Sequence, residues 1–144
     1  QPMGTIAAGE TNTSVSVRGP LPDGVLGEVR IHQAIYQRRP EIKAVCRIMS
    51  PAVMALSTQG LTPTCRHGLS AYFENNIPLW ADPRLLRDDD RAQSLADMMG
   101  SATALVMRGN GSVVVETLVG SVNNLNGGIV DDDDAELELY HFVV

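Results

Sequence analysis

Histidines and cysteines are the side chains best suited to metal binding or nucleophilic chemistry, and here their spacing matches no local motif. His32, His67 and His141 form no HxH or HExxH, and no cysteine stands beside them at ligand spacing. Cys46 and Cys65 form no CxxC, which predicts two inert thiols, and Cys65 is the better candidate for an activated thiol because basic residues follow it. A metal site of the usual kind would therefore have to be assembled from distant residues.

Carboxylate and glycine clusters suggest two further kinds of site, and a structural explanation is simpler for each. The aspartates at 131–134 lack the alternating spacing, the central glycine and the distal glutamate of a calcium loop, which predicts a solvated helix surface. The GNG run at 109–111 is too short to cradle a phosphate and predicts a hairpin turn, in which Asn110 tolerates a positive φ. No GxSxG, P-loop or GxGxxG motif occurs.

Length and composition narrow the class of protein. The chain has 144 residues, of which 44% are hydrophobic and 19% are charged, so we expect one domain with a core of its own. The net charge of −6 opposes binding to nucleic acid or to an anionic membrane. No apolar stretch approaches the roughly 20 residues that span a bilayer. With two cysteines and no visible signal peptide, we expect a soluble protein of the cytoplasm.

Hydrophobic spacing predicts the elements that would hold any site. Residues 1–27 are rich in glycine and proline and form a loop-rich N-terminal segment with one short strand, and the main domain occupies residues 28–144. Because one tight turn joins antiparallel neighbours while helices alternate with strands, we expect a mixed α/β sheet. The predicted strands are 13–17, 42–49, 77–81, 102–107 and 112–116, and the predicted helices are 28–38, 52–59, 91–99 and a broken or kinked one over 118–139.

Four segments after residue 27 follow one another in a recognisable order. Residues 28–40 (EVRIHQAIYQRRP) fit Glu-x-x-x-His-x-x-(Ile/Ala)-Tyr-x-x-Arg-Pro, and residues 44–51 (AVCRIMSP) fit the frame Ala-Val-x-His-x-His-x-Pro. Residues 77–85 (IPLWADPRL) and 105–115 (LVMRGNGSVVV) resemble the patterns IPVxDDPRL and LxRxHGxVVV. Together they resemble the class II aldolase/adducin family over most of the chain after residue 28. The resemblance implies a mixed β-sheet layered with helices, with an N-terminal part that is missing or supplied by another chain.

The resemblance also implies which residues would act. Family members hold a divalent metal, usually zinc, with three histidines, and those positions are Arg47, Met49 and Asn110 here. A permanent cation, a thioether and a neutral amide are poor replacements for histidine, so we expect no metal and no cofactor. Glu28 matches the family's catalytic acid–base glutamate. The resemblance therefore predicts Glu28 as acid–base group, Arg47 as anion anchor, and Asn110, Met49 and His67 as substrate-binding residues.

Two functions fit these residues. The first is a lyase-type enzyme that has lost the zinc site and uses metal-independent acid–base chemistry (decarboxylation, dehydration, isomerisation or cyclisation) on a small oxygenated acid. The second is a non-catalytic, adducin-like domain used for assembly, in which Glu28 merely charges a helix N-terminus and Arg47 pairs with a nearby carboxylate. Expected partners are a small-molecule substrate and either a homo-oligomer, such as a tetramer, or a second chain that completes the fold, with no nucleic acid or membrane partner.

Overall fold

A computed structural model describes residues 14–66, 68–73, 76–117, 128–129 and 136–138. Strands and helices alternate over most of this range, as the sequence predicts for a mixed α/β fold. The strands are β1 (Ser14–Ser16), β2 (Ala44–Ile48), β3 (Leu79–Trp80), β4 (Ala104–Met107), β5 (Ser112–Glu116), β6 (Gly128–Ile129) and β7 (Glu136–Glu138). The α-helices are α1 (Val29–Arg38), α2 (Pro51–Thr58) and α3 (Asp89–Met99), and Gly68–Phe73 forms a 3₁₀ helix.

Five of these strands form one mixed sheet in the order β3-β4-β5-β2-β6. β3 pairs parallel to β4, and all the other pairs in the sheet are antiparallel. The predicted hairpin is confirmed, since β4 and β5 pair across the turn at 109–111 with Ala104 opposite Val114. Strands β1 and β7 pair with each other in a separate two-stranded sheet. The fold class predicted from the sequence is therefore correct.

Helices α1 and α3 pack together beside this sheet. α3 begins where the side chain of Asp88 accepts a hydrogen bond from the Arg91 main-chain nitrogen at 2.9 Å, a favourable arrangement at the positive end of a helix. Ion pairs Arg30–Asp89 and Arg38–Asp97 join the two helices. No helix in the part of the chain described above is long and apolar enough to cross a membrane. The core between helices and sheet includes Ile31, Ile35, Leu95, Leu105 and Val113, all at most 1% exposed.

The helix predicted over 118–139 is wrong wherever the structure describes that region. β6 pairs with β2, where Ile129 lies opposite Ala44, and β7 pairs with β1. A helical spacing of apolar residues cannot reveal that β2 has an edge open to pairing, and glycines at 127 and 128 weaken a helix there. The aspartates at 131–134 and His141 lie outside the described residues.

Candidate active site

Four of the five predicted site residues come together beside the end of β2. Arg47 is near the carboxyl end of β2, where it lies opposite Val113 of β5, and Met49 follows the same strand. Asn110 lies in the β4–β5 turn, and Glu28 immediately precedes α1. The candidate site is therefore formed by residues from three separate parts of the chain. His67 lies outside the described residues, so its predicted role remains a prediction.

The guanidinium of Arg47 lies at the centre of the group. Its Nη2 donates to Glu28 Oε2 and to Asn110 Oδ1, both at 3.3 Å, and lies 3.9 Å from Met49 Sδ. Its Nη1 donates to the main-chain oxygen of Asn110 at 2.8 Å and reaches that of Ser112 at 3.5 Å. We call these five residues the Arg47 cluster. Met49 and Asn110, two of the three positions where the resemblance implies metal ligands, therefore lie against the guanidinium of the third, Arg47.

Burial makes the ion pair between Arg47 and Glu28 energetically important. The side chain of Arg47 is 2% exposed and that of Glu28 is 10% exposed. Burial lowers the pKa of the Arg47 guanidinium, and the charge and hydrogen bond of Glu28 oppose that shift. Removal of either side chain would therefore leave the other charge buried without a counter-ion.

The side chain of Glu28 faces Arg47 and does not cap the helix that it precedes. Glu28 is the residue before the first turn of α1, yet its side chain makes no capping hydrogen bond to that helix. Its Oε2 instead accepts from Arg47. The structural alternative expected from the sequence is therefore met in part, because Arg47 does pair with a carboxylate. That carboxylate is Glu28, the candidate acid–base group itself.

The β4–β5 turn places Asn110 by means of its two flanking glycines. Gly109 and Gly111 have φ values of 66° and 73°, whereas Asn110 is not among the described residues with positive φ. The explanation that Asn110 is present to tolerate a positive φ is therefore wrong. At Gly111 a Cβ atom would lie 2.3 Å from the Ile48 main-chain oxygen and 2.7 Å from Met49 Sδ. Only glycine allows the turn to approach the end of β2 this closely.

Helix α2 holds the same turn from the other side, through a residue that the sequence did not reveal. Ser57 is fully buried, and its Oγ accepts a hydrogen bond from the Gly109 main-chain nitrogen at 2.9 Å. The same hydroxyl donates to the Met54 main-chain oxygen at 2.7 Å. No local pattern distinguishes Ser57 from a surface serine, because its partner is a main-chain group that lies far away in the sequence.

Two donors in the Arg47 cluster have no hydrogen-bond partner among the described residues. These are Arg47 Nε and Asn110 Nδ2, both of which are buried. A buried donor without an acceptor costs about 1–3 kcal/mol, so such groups often face a ligand or an ordered water. The cluster can therefore offer hydrogen bonds to an additional oxygen atom.

The same donors and acceptors do not fit a divalent metal ion. A guanidinium cation already lies among them, and it repels a second cation at the same place. The remaining groups are one carboxylate, neutral amide and main-chain oxygens and a soft thioether, an unsuitable set for zinc. No group of three or more histidine, cysteine or acidic side chains with the spacing of a metal site occurs in the described ranges.

Neither cysteine takes part in the Arg47 cluster. Cys46 is buried, and burial raises the pKa of its thiol while the charge of Arg47 lowers it. Cys65 is exposed, and its Sγ donates to the Ser70 main-chain oxygen at 3.0 Å. No disulfide involves either thiol.

Comparisons with known proteins agree on one family. The family model described as Class II Aldolase and Adducin N-terminal domain matches residues 9–123 of this chain. L-fuculose-1-phosphate aldolase from Thermus thermophilus is 25% identical with a TM-score of 0.58, over 72% of this chain and 52% of that one. YgbL, an aldolase/epimerase/decarboxylase candidate from Klebsiella pneumoniae, is 28% identical with a TM-score of 0.50. The match covers 68% of this chain and 49% of that one.

A third solved structure supports the fold alone. L-fuculose 1-phosphate aldolase from Glaciozyma antarctica is 21% identical with a TM-score of 0.54, over 82% of this chain and 53% of that one. No curated protein sequence matches the chain. The chain spans about half the length of these solved relatives.

Proposed function

This chain belongs to the class II aldolase and adducin N-terminal domain family, and from that premise we propose that it transfers protons without a divalent metal, on a small oxygenated acid. Glu28 is the proposed acid–base group, and Arg47 supplies the positive charge of the site. The observation that carries this proposal is the 3.3 Å contact between Arg47 Nη2 and Glu28 Oε2, inside a cluster of residues drawn from three parts of the chain.

Glu28 is better placed than Arg47 to touch a substrate. Its side chain keeps 10% of its surface exposed, against 2% for Arg47. The ion pair engages Oε2, so we assign proton transfer to Oε1. Arg47 holds the carboxylate in place with one nitrogen and adds a fixed positive charge, which stabilises negative charge as it develops on a substrate oxygen.

The proposed step is removal of a proton from the carbon next to the substrate's carboxyl or carbonyl group. Glu28 Oε1 takes the proton, and the electron pair of the broken C–H bond moves onto the substrate oxygen. Arg47 Nε and Asn110 Nδ2, which lack partners among the described residues, are the donors proposed for that oxygen. Return of a proton, or loss of a leaving group, then gives isomerisation or dehydration. In this proposal Arg47 keeps its predicted role as anion anchor through Nε, while Met49 and His67 remain predicted substrate contacts.

Solvent deuterium exchange tests the proposal on a panel of candidate substrates. Small hydroxy and keto acids are incubated with the protein in D₂O in the presence of a chelator, and loss of their α-proton signal is followed by ¹H NMR. We expect exchange of at least one acid, and a rate at least about 100-fold lower for Glu28→Gln. Glu41→Gln is the matched control, because Glu41 is exposed and pairs with Arg39 on the surface.

A second function, assembly without catalysis, is favoured by the near-complete burial of Arg47. Both Nη atoms are engaged inside the protein, and 2% of the side chain is exposed, as expected of a site that has become structural. In this case the domain serves assembly, and no acid would exchange its α-proton at any protein concentration. Exchange that persists in Glu28→Gln would reject the enzymatic role of Glu28.

The proposal also includes the binding partners of the chain and its location in the cell. The substrate is a small molecule, and the domain from residue 28 onward works as a homo-oligomer or with a second chain that completes the fold. The two thiols, Cys46 and Cys65, are compatible with a reducing cytoplasm, which remains a prediction.

A further inference from the structure

The acceptors around Arg47 belong to residues whose main chain is held by contacts other than those of the Arg47 side chain. They are Glu28 Oε2, Met49 Sδ, the main-chain oxygens of Asn110 and Ser112, and Asn110 Oδ1, and we call this set the acceptor cage. All of them face one guanidinium group. Persistence of the cage after removal of that group depends on the contacts that hold each of its sides.

Main-chain hydrogen bonds hold the turn side of the cage without help from Arg47. The Asn110 nitrogen donates to the Met107 oxygen at 2.9 Å, and the Met107 nitrogen donates to the Gly111 oxygen at 2.8 Å. Ser57 adds its hydrogen bond from the Gly109 nitrogen. These contacts fix the main chain of the turn, and with it the Asn110 main-chain oxygen that faces the cation.

Helix packing holds the other side of the cage. The Glu28 main-chain oxygen accepts from the Ile31 nitrogen at 3.0 Å, so Glu28 is part of the first turn leading into α1. Ile31, in the first turn of α1, is fully buried in the core and holds this end of the helix in place. The main chain of Glu28 is therefore held by a packed element, so truncation of Arg47 leaves this residue at the edge of the cage.

The charge and chemistry of the cage select one kind of ligand. It contains one carboxylate, and its other acceptors are neutral, so a single positive charge balances it while a divalent ion would remain undercompensated. Its acceptors receive hydrogen bonds from two nitrogens of one planar group. A planar monovalent cation with several N–H donors matches both properties.

We propose that the acceptor cage is a binding site for guanidinium compounds, which the protein fills with its own Arg47 and which accepts a free guanidinium ligand when that side chain is shortened. Arg47 thus acts as a tethered cation that occupies the cage and balances the charge of Glu28. Binding of a guanidinium compound in the cage requires no turnover at Glu28, so it holds or fails independently of the proposed enzymatic role.

The test uses Arg47→Ala and a ligand that replaces the atoms removed by that substitution, N-ethylguanidinium chloride. The neutral isostere N-ethylurea is the matched control ligand, with sodium chloride at equal ionic strength. At ten times its Kd we expect N-ethylguanidinium to raise the Tm of Arg47→Ala by about 5 °C. N-ethylurea should not raise it, and neither compound should raise the Tm of the wild type or of Arg84→Ala, an exposed arginine.

Two further measurements keep the test decisive. If Arg47→Ala is unfolded in buffer, the same titration is followed as recovery of helical circular dichroism. Adding Glu28→Gln to Arg47→Ala should weaken N-ethylguanidinium binding at least about tenfold, because the negative charge of the cage is then absent. Equal stabilisation by N-ethylurea, no response to N-ethylguanidinium, or unchanged affinity in the double variant would each overturn the proposal.

Discussion

At the scale of single residues, the contact between Glu28 and Arg47 combines a functional and a structural role in the same atoms. A buried carboxylate would normally be costly, and a buried guanidinium equally so. Here the attraction between the two charges offsets part of the free energy of desolvation, and the hydrogen bonds from Arg47 to Asn110 offset more of it. A protein that retained this pair only as a relic would gain little, since apolar side chains of similar volume are often at least as stable.

The first prediction concerns the coupling between these two charges. Glu28→Gln or Arg47→Met alone leaves one buried charge without its partner, and each should lower the free energy of unfolding by about 3–5 kcal/mol. The double variant should lose less than the sum, with a coupling of about 2 kcal/mol or more. Urea denaturation of the wild type, the two single variants and the double variant measures this coupling. The pair Asp82–Arg84, whose arginine side chain is 73% exposed, provides the control cycle, in which the coupling should be much smaller. Additive losses at Glu28 and Arg47 would contradict the structure.

The second prediction is a loss of stability at alkaline pH that depends on Tyr36. Burial raises the pKa of its phenol well above the usual value near 10, since the charged form would be desolvated. Because the folded-state pKa is the higher one, the stabilisation is complete below about pH 10 and is lost as the pH rises further. Thermal unfolding of Tyr36→Phe should depend less on pH above about pH 10 than that of the wild type. Parallel curves would show that another group is responsible.

At the scale of elements, the sequence predicted the helices and strands whose hydrophobic pattern lies within the element itself. Strand β5 coincides with the predicted residues 112–116, and α1 falls within the predicted helix 28–38. The sequence failed at β6 and β7, whose partners are edges of strands far away in the chain. Hydrophobic period reports which face of an element is buried, and it carries no information on which edge is left to be paired.

The third prediction compares two glycines that flank Asn110 in the β4–β5 turn. Both have positive φ, so alanine is strained at either position by about 1–2 kcal/mol. At Gly109 a Cβ atom would meet nothing within 4 Å, whereas at Gly111 it would meet a main-chain oxygen at 2.3 Å. Gly111→Ala should therefore cost at least about 4 kcal/mol in free energy of unfolding, and Gly109→Ala should cost only the strain. Equal losses in chemical denaturation would show that the turn does not approach β2 this closely.

At the scale of the whole molecule, the family resemblance singled out residues that the structure brings together, while the contacts among them could not be predicted; their roles remain predictions. The family pattern identified Glu28, Arg47, Met49 and Asn110, because each stands at a fixed place in a recognisable segment. It could not show that the guanidinium faces all the others, nor that Ser57 supports the turn from α2. Those facts depend on how three distant parts of the chain meet. The boundary between residues 27 and 28 remains a prediction as well.

The last prediction concerns association, which the family resemblance suggests. Leu26 and Leu85 are large apolar side chains that are 43% and 48% exposed. They belong to neighbouring loops, because a Cβ atom at Gly27 would lie 3.1 Å from the side chain of Arg87. We therefore predict that these two exposed leucines on neighbouring loops, one of them two residues before Glu28, contact another chain.

We therefore expect light scattering to find an oligomer at micromolar concentration, and Leu26→Asp or Leu85→Asp to shift it towards the monomer. A charge placed in an apolar contact must be desolvated when the chains associate, whereas it costs little on a free surface. Leu61→Asp is the matched control, since Leu61 is 53% exposed and follows α2. If association shapes the site, the two disruptive variants should also lower deuterium exchange by substrate acids, while Leu61→Asp leaves it unchanged. A wild-type monomer, or three variants with equal effects, would place the interface elsewhere and leave Glu28 to act within a single chain.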